Sequence, residues 1–359
     1  MADWFADLSN LLRDIEATTY TLTVGDGRLL VVPQGARLLA CDLPSADGDA
    51  GNLFWHSRVL HDSAMTRKCL DAAGGGLGGD RLWIAPEVAH MWTDLQRARR
   101  DPFGTYIVPP AMDPADYRVV DQSDTHVALA TQIKLIDHRV GMPITLAVER
   151  RFDVIDAPAG LPVGLKVASF AIRNDLNVVD GNEGAVVGSW DLLQVPPGGT
   201  MIYPTTNLVE NPRCYFAPFD EQHVCSREHC VRINIDGEKQ FKLGLPPEKV
   251  TGRAGYYRRR GRDTTLIVRI LTVLPGEPYV DLPRDTDERF GGDAIQVYND
   301  ESSDSFGELE YHDAAIVVGR TAPRRISTSV THVLAGPDDA VKLAGQMLMG
   351  VAIEPFGQQ

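Results

Sequence analysis

Glu308 and Glu310 stand two residues apart in Gly307-Glu308-Leu309-Glu310-Tyr311-His312, and on a strand that spacing points both carboxyls to one face. Either can reach a cleft on that face, and His312 follows two residues beyond Glu310. A second concentration of polar and aromatic groups is Gly78-Gly79-Asp80-Arg81-Leu82-Trp83-Ile84-Ala85-Pro86-Glu87, with two acids besides Asp80's neighbour Arg81 and one tryptophan, and with His90 three residues further on. The glycines before it, Gly74-Gly75-Gly76 and Gly78-Gly79, supply a backbone able to turn sharply or to approach a ligand closely. Such density predicts a binding cleft, although the motif by itself names no reaction.

Each residue has a plain structural use as well. Asp80 and Arg81 can bind ligand hydroxyls or bridge two strands as a buried ion pair. Trp83 and Trp190 offer flat faces for stacking on a ring, and large aromatics also fill sandwich cores. Glu87 follows Pro86, which keeps its neighbourhood extended, so its carboxylate is a ligand candidate at a strand end. His90, His56 and His312 fit surface or hydrogen-bonded core positions as readily as catalytic ones. His223, Cys225, His229 and Cys230 lie within eight residues, but the paired spacings of zinc sites are absent, so no metal is expected. No nucleotide-binding glycine loop or nucleophile elbow occurs, and no cofactor is expected. Arg253 to Arg262, with Tyr256 and Tyr257, reads as a charged hairpin or as a site for an acidic group.

The elements that must position these groups are mostly strands. Thr19 to Val24 and Arg28 to Val32 flank the turn Gly25-Asp26-Gly27 as a hairpin, and Gly35 to Leu43 follows as a third strand. Short strand candidates then recur, at 117–120, 126–136, 144–153, 164–173, 185–193, 200–203, 231–235, 240–243, 255–257, 264–274, 294–298 and 308–311, with Gly, Pro and Asp between them. That texture predicts an all-β antiparallel sandwich or barrel. Helical spacing is confined to the ends: Trp4, Phe5, Leu8, Leu11, Leu12 and Ile15 predict an amphipathic helix over 3–16, and Val341, Leu343, Ala344, Met347 and Leu348 another over 337–349. With no repeat or linker in 359 residues, the expectation is a single domain over 1–359, with a helix in 1–17, strands through 18–335 and a helix in 336–350.

Composition narrows the partners. The apolar fraction of 43% is that of a globular core, and the net charge of −14 argues against nucleic acid, which needs a basic surface. No stretch reaches the roughly 18 apolar residues of a membrane span, and Met1 to Tyr20 lacks the pattern of a secretory signal. Five cysteines do not form a disulfide framework, so a cytoplasmic location is expected, while oligomeric state is not readable.

The order of features, hairpins, then Gly79-Asp80-Arg81-Leu82-Trp83, a polar mid-chain strand, then Ala294-Ile295-Gln296-Val297-Tyr298-Asn299 and Phe306-Gly307-Glu308-Leu309-Glu310, resembles the galactose-mutarotase-like proteins from about Thr19 to Leu334. It is most similar to relatives of the aldose epimerases that carry a Gly-Asp-Arg-Leu-Trp-x-x-Pro-Glu segment. The resemblance implies a large antiparallel β supersandwich that binds a small sugar or oligosaccharide. It also implies a glutamate base at the anomeric hydroxyl, which carries over to Glu310 with Glu308 as competitor. The family's mid-chain histidine acid has no counterpart in Val187-Gly188-Ser189-Trp190-Asp191, which leaves His90 and His312 as candidates. Opening a hemiacetal needs a base at the anomeric OH and an acid at the ring oxygen, and a carboxyl fills the acid role only if its pKa rises by roughly 2 units. Asp80, Arg81, Trp83, Glu87, Trp190 and Tyr298 are the expected substrate contacts. A non-catalytic carbohydrate-binding protein, and a lyase or hydrolase acting on a modified or acidic saccharide, are the alternative expectations.

Overall fold

Among the described residues, alternation of side chains along short strands resolves into two antiparallel sheets of ten strands each. The structure, a computed structural model, describes residues 3–44, 51–74, 76–98, 100–101 and 104–357; Gly75 of the glycine run lies outside them. The first sheet runs Tyr20–Val24, Gly27–Val32, Arg37–Asp42, Asp80–Ala85, Val186–Val195, Gly307–His312, Ile295–Asn299, Phe241–Leu245 and Arg213–Cys214, with Ile316–Val317 also on Val186–Val195. The second runs Val224–Arg227, Cys230–Ile235, Gly199–Pro204, Arg253–Arg260, Asp263–Leu271, Arg324–Gly336, Lys166–Gly181, Met142–Val154, His126–Asp137 and Arg118–Ser123. The inner faces share one apolar core, in which Leu82, Leu193, Leu309 and Val297 of the first sheet meet Phe152, Phe170, Ile267 and Val333 of the second. Of the sandwich or barrel that the strand pattern predicts, the protein is therefore the all-β antiparallel sandwich, with the two large sheets of the supersandwich that the resemblance implies.

Helices form at Trp4–Asp14 and Asp338–Met349. The first is capped by Asp3, whose side chain accepts from the Ala6 amide, and it buries Phe5, Leu8 and Leu12 against the outer side of the first hairpin. The helix Ser63–Asp71 has no counterpart in the sequence reading, because only Thr66 and Leu70 face inward and its other side is polar. The strand Arg324–Gly336 also escapes that reading: its first half is Arg, Ser and Thr around an exposed Ile326, and apolar burial begins only at Val333. Among the described residues no helix is long and apolar enough to cross a membrane.

Gly78 and Gly79 have positive φ, and a Cβ on either would collide with the carbonyl oxygen of Trp55 or Leu38. The close approach that the glycine run predicts is thus between neighbouring backbones, where it launches the strand Asp80–Ala85.

Charge also enters the sandwich interior. Arg150 of the second sheet reaches across to Asp80 and, at 2.8 Å, to Asp191, while Arg269 contacts Asp80 at 2.5 Å and Asn174 donates to Asp191 at 2.6 Å. All four charged side chains are fully buried. Two carboxylates face two guanidiniums here, so the layer is neutral as a set.

Candidate functional site

On a strand, neighbours point to opposite faces. Asp80, Asp191 and Tyr311 therefore point inward to the second sheet, and Arg81, Trp190 and Glu310 point outward. That outward face is not left in water, because the strands Asp80–Ala85 and Gly307–His312 are buried along their whole length. Glu87, Trp92 and Tyr106 cover it from one segment, Tyr215 and Phe216 from a second, and Leu282 and Arg284 from a third. A cavity of about 380 Å³ remains between cover and sheet, within the usual range for small-molecule sites.

Register sets the floor of this cavity in rows. Lys242 lies opposite Tyr298, Tyr298 opposite Glu308, and Glu308 opposite Gln194. One row further along, Gln296 pairs with Glu310, Glu310 with Leu192, and Leu192 with Arg81. Arg81 Nη2 donates to Glu308 Oε1 at 2.9 Å, Gln194 Nε2 donates to the same oxygen at 2.9 Å, and the Arg81 guanidinium lies 4.2 Å from the centre of the Trp83 ring. Glu310 Oε2 accepts from Trp190 Nε1 at 2.8 Å and pairs with Lys242 Nζ at 2.9 Å. Its Oε1 is buried and has no hydrogen-bond partner among the described residues.

Lys242 serves two carboxyls, since Glu87 Oε2 lies 3.6 Å from the ammonium that holds Glu310. Tyr106 donates to Glu87 Oε1 at 3.1 Å. Burial pushes the Glu310 carboxyl up to about 8; Lys242 opposes this and Glu308 adds to it. Glu87 is also raised, by burial first and with Lys242 opposing. Burial alone would lower the Lys242 ammonium, but Glu310 and Glu87 outweigh it and hold it charged. One ammonium shared by two buried carboxyls leaves a proton within the cluster at neutral pH. Asp281 ties the cover to the sheet by accepting from the Glu87 amide at 2.6 Å and from Gln296 Nε2 at 2.8 Å.

The structure brings Glu308, Glu310, Arg81, Trp83, Glu87, Trp190 and Tyr298 to this one cavity. It places three other sequence candidates elsewhere. Asp80 faces the inter-sheet ion layer, because it precedes Arg81 on an alternating strand. His90 ends the short helix Glu87–His90, outside the cavity wall, with Nδ1 3.2 Å from the Ile136 carbonyl. His312 stacks on Trp190, with ring centres 5.4 Å apart and planes 20° from parallel, and does not line the cavity. Burial lowers both imidazoles to about 4, so each is neutral at physiological pH. His56 packs on Trp4, also away from the cavity. The Arg253–Arg260 hairpin belongs to the second sheet, with Tyr256 and Tyr257 buried. His223 is held between Asp220 and Asp236, and among the described residues no group of three or more His, Cys, Asp or Glu is placed to hold a metal.

Sequence reasoning misses Lys242, Tyr106, Tyr215, Phe216, Gln240 and Phe306. Only Lys242 leaves a trace: it is a lone lysine between Phe241 and Leu243 in an otherwise apolar strand. The others arrive from loops or strand ends, where spacing carries no directional signal.

A family model described as "Family of unknown function (DUF6786)" matches residues 4–356. No curated protein matches the chain. Solved structures similar to it include an Escherichia coli K12 protein provisionally assigned as an aldose 1-epimerase, with 13% identity over 89% of this chain and 98% of that one at TM-score 0.48. A galactose mutarotase-like protein from Lactobacillus casei is similar at 11% identity over 88% and 100%, TM-score 0.47. The GalM/aldose epimerase homologue from C. elegans is similar at 10% identity over 88% and 98%, TM-score 0.45.

Proposed function

The chain belongs to the family of unknown function DUF6786, and on that premise we propose that it binds a sugar in the cavity over its first sheet and opens the hemiacetal by proton transfer at the anomeric centre. The observation that carries this reading is the Glu310 carboxyl. Its Oε2 is fixed by Trp190 and Lys242, its Oε1 is buried with no hydrogen-bond partner among the described residues, and the residue lines the cavity. An unmet buried polar atom costs roughly 1–3 kcal/mol, and a ligand oxygen that accepts from the protonated carboxyl removes that cost.

A sugar ring has apolar C–H faces and hydroxylated edges, and the wall supplies both kinds of partner. Trp83 and Trp92 line it with aromatic surface, and Arg81, Glu308, Gln240 and Glu87 present hydrogen-bonding groups. In the proposed reaction Glu308 Oε2, free of the bonds that Arg81 and Gln194 make to Oε1, takes the proton from the anomeric hydroxyl. The bond between the anomeric carbon and the ring oxygen breaks, its electron pair stays on the ring oxygen, and the protonated Glu310 delivers its proton there. Rotation about the adjacent carbon–carbon bond and reversal of both transfers close the ring as the other anomer. The cluster of Glu310, Glu87 and Lys242 thereby fills the acid role for which the sequence offers no well-placed histidine.

The test is polarimetric mutarotation of a sugar panel with Glu310→Gln and Glu308→Gln. Each substitution is expected to slow the reaction by roughly 10²- to 10⁴-fold. Wild-type rates in both variants, alongside calorimetric binding of the sugar, would leave a binding protein without catalysis.

A further inference from the structure

We propose that the cavity takes the reducing end of a saccharide of at least two rings, with the reacting ring against Glu308 and Glu310 and the next ring on a platform formed by Phe216, Tyr298 and Phe306. This deepens the sugar reading above and rests on it.

The lining extends along the strand Gly307–His312 and just beyond it: Phe306 and Glu310 both line the cavity, four residues apart on one chain, up to about 13 Å of backbone at strand rise. The two ends also differ in character. Around Glu310 the aromatics are deeply buried and each charge has a partner, which suits one enclosed ring.

Toward Phe306 the wall becomes a run of aromatic rings. Tyr298 lies 5.8 Å from Phe306 and 6.1 Å from Phe216, with the ring planes tilted by 50° and 57°. Phe216 remains 40% exposed although it lines the cavity, so this end opens to solvent. Aromatic faces of this kind match the C–H face of a second sugar ring. Gln240, which donates to the Tyr298 hydroxyl at 2.7 Å, lines the same cavity and supplies a polar edge beside them. Arg284 lines it as well, and its guanidinium has no hydrogen-bond or ion-pair partner among the described residues. Proton transfer at the anomeric centre requires a free hemiacetal, which only the reducing end of a chain has. That end therefore lies inward, and the rest of the saccharide leaves past Phe216.

Calorimetric titration compares reducing disaccharides with the monosaccharide at the reducing end of each, using glucose against maltose, cellobiose and lactose, and xylose against xylobiose. At least one disaccharide is expected to bind about tenfold or more tightly than its monosaccharide. Phe216→Ala, at an exposed position, and Phe306→Leu, which keeps apolar volume against Trp55, are each expected to lower that disaccharide-to-monosaccharide ratio roughly fivefold. Thermal melting checks that both variants fold. Monosaccharide binding with no gain from the second ring, or a ratio unmoved in both variants, overturns this inference and leaves the sugar reading standing. Binding of neither size overturns both.

Discussion

In the proposed reaction Glu310 holds a proton at neutral pH although it sits 2.9 Å from an ammonium; burial is the main reason, and Glu308 and the sharing of Lys242 with Glu87 add to it. The proton's presence sets a pH dependence with a definite sign. The ordinary carboxyl value is 4.5 and the folded value is about 8, so between them the native state keeps a proton that the unfolded chain has lost. Stability from this group is fully present below 4.5 and is lost as pH rises through about 8. The proposed catalysis by the protonated carboxyl is expected to fall over the upper part of the same window. Glu310→Gln is neutral at every pH, so urea melts of the variant at pH 5, 7 and 9 should show a shallower decline in stability than the wild type. A wild-type slope retained in the variant would place the titrating proton on another group. The carboxylate pair itself is legible in the sequence, because two residues of strand spacing fix their common face. The ammonium that tunes it is not, because Lys242 becomes its neighbour only through strand pairing with Tyr298, and Tyr298 in turn pairs with Glu308.

The strand Asp80–Ala85 shows what periodicity settles and what it leaves open. It assigns Asp80 and Arg81 to opposite faces, yet not which face is the core and which the cavity, since both are buried. That is why two adjacent residues of one dense motif share no role: Asp80 joins Arg150 and Arg269 between the sheets, and Arg81 lines the cavity. Substitution should separate them. Asp80→Ala leaves two buried guanidiniums short of a carboxylate and is expected to cost about 3–5 kcal/mol of unfolding free energy. Arg81→Met should cost less, because Gln194 still donates to Glu308, and should instead weaken sugar binding about tenfold or more. Denaturant melts and calorimetric titration of both variants check the crossover. Equal stability losses with equal affinities would mean that the faces are not divided in this way. Elements with little apolar periodicity leave no local signal: Arg324–Gly336 begins as Arg, Ser and Thr around one exposed isoleucine, and Ser63–Asp71 turns only Thr66 and Leu70 inward.

At the scale of the whole molecule, the first sheet works against the second on one face and against its loop cover on the other. The strand order explains how residues as distant in sequence as Arg81, Lys242 and Glu308 come to one cavity: the hydrogen-bonded path runs through Asp80–Ala85, Val186–Val195, Gly307–His312, Ile295–Asn299 and Phe241–Leu245. Composition and strand texture make the all-β class legible, but that order depends on pairings across more than a hundred residues, which no local pattern encodes. It also bears on cooperativity. One apolar core and one ion layer join the two sheets, so loss of either sheet exposes the other's inner face and strands its buried charges. The expectation is a single unfolding transition over the chain. Tryptophan fluorescence, from Trp55, Trp83, Trp92 and Trp190 on or beside the first sheet and from Trp4 on the N-terminal helix, reports chiefly on one half, whereas far-ultraviolet circular dichroism reports on both sheets. Their denaturation midpoints should coincide, and a sugar at about 100 times its Kd should raise both together by the equivalent of roughly 2.7 kcal/mol. Two separated midpoints, or a ligand shift confined to the fluorescence signal, would show that the sheets unfold independently and that the ion layer does not couple them.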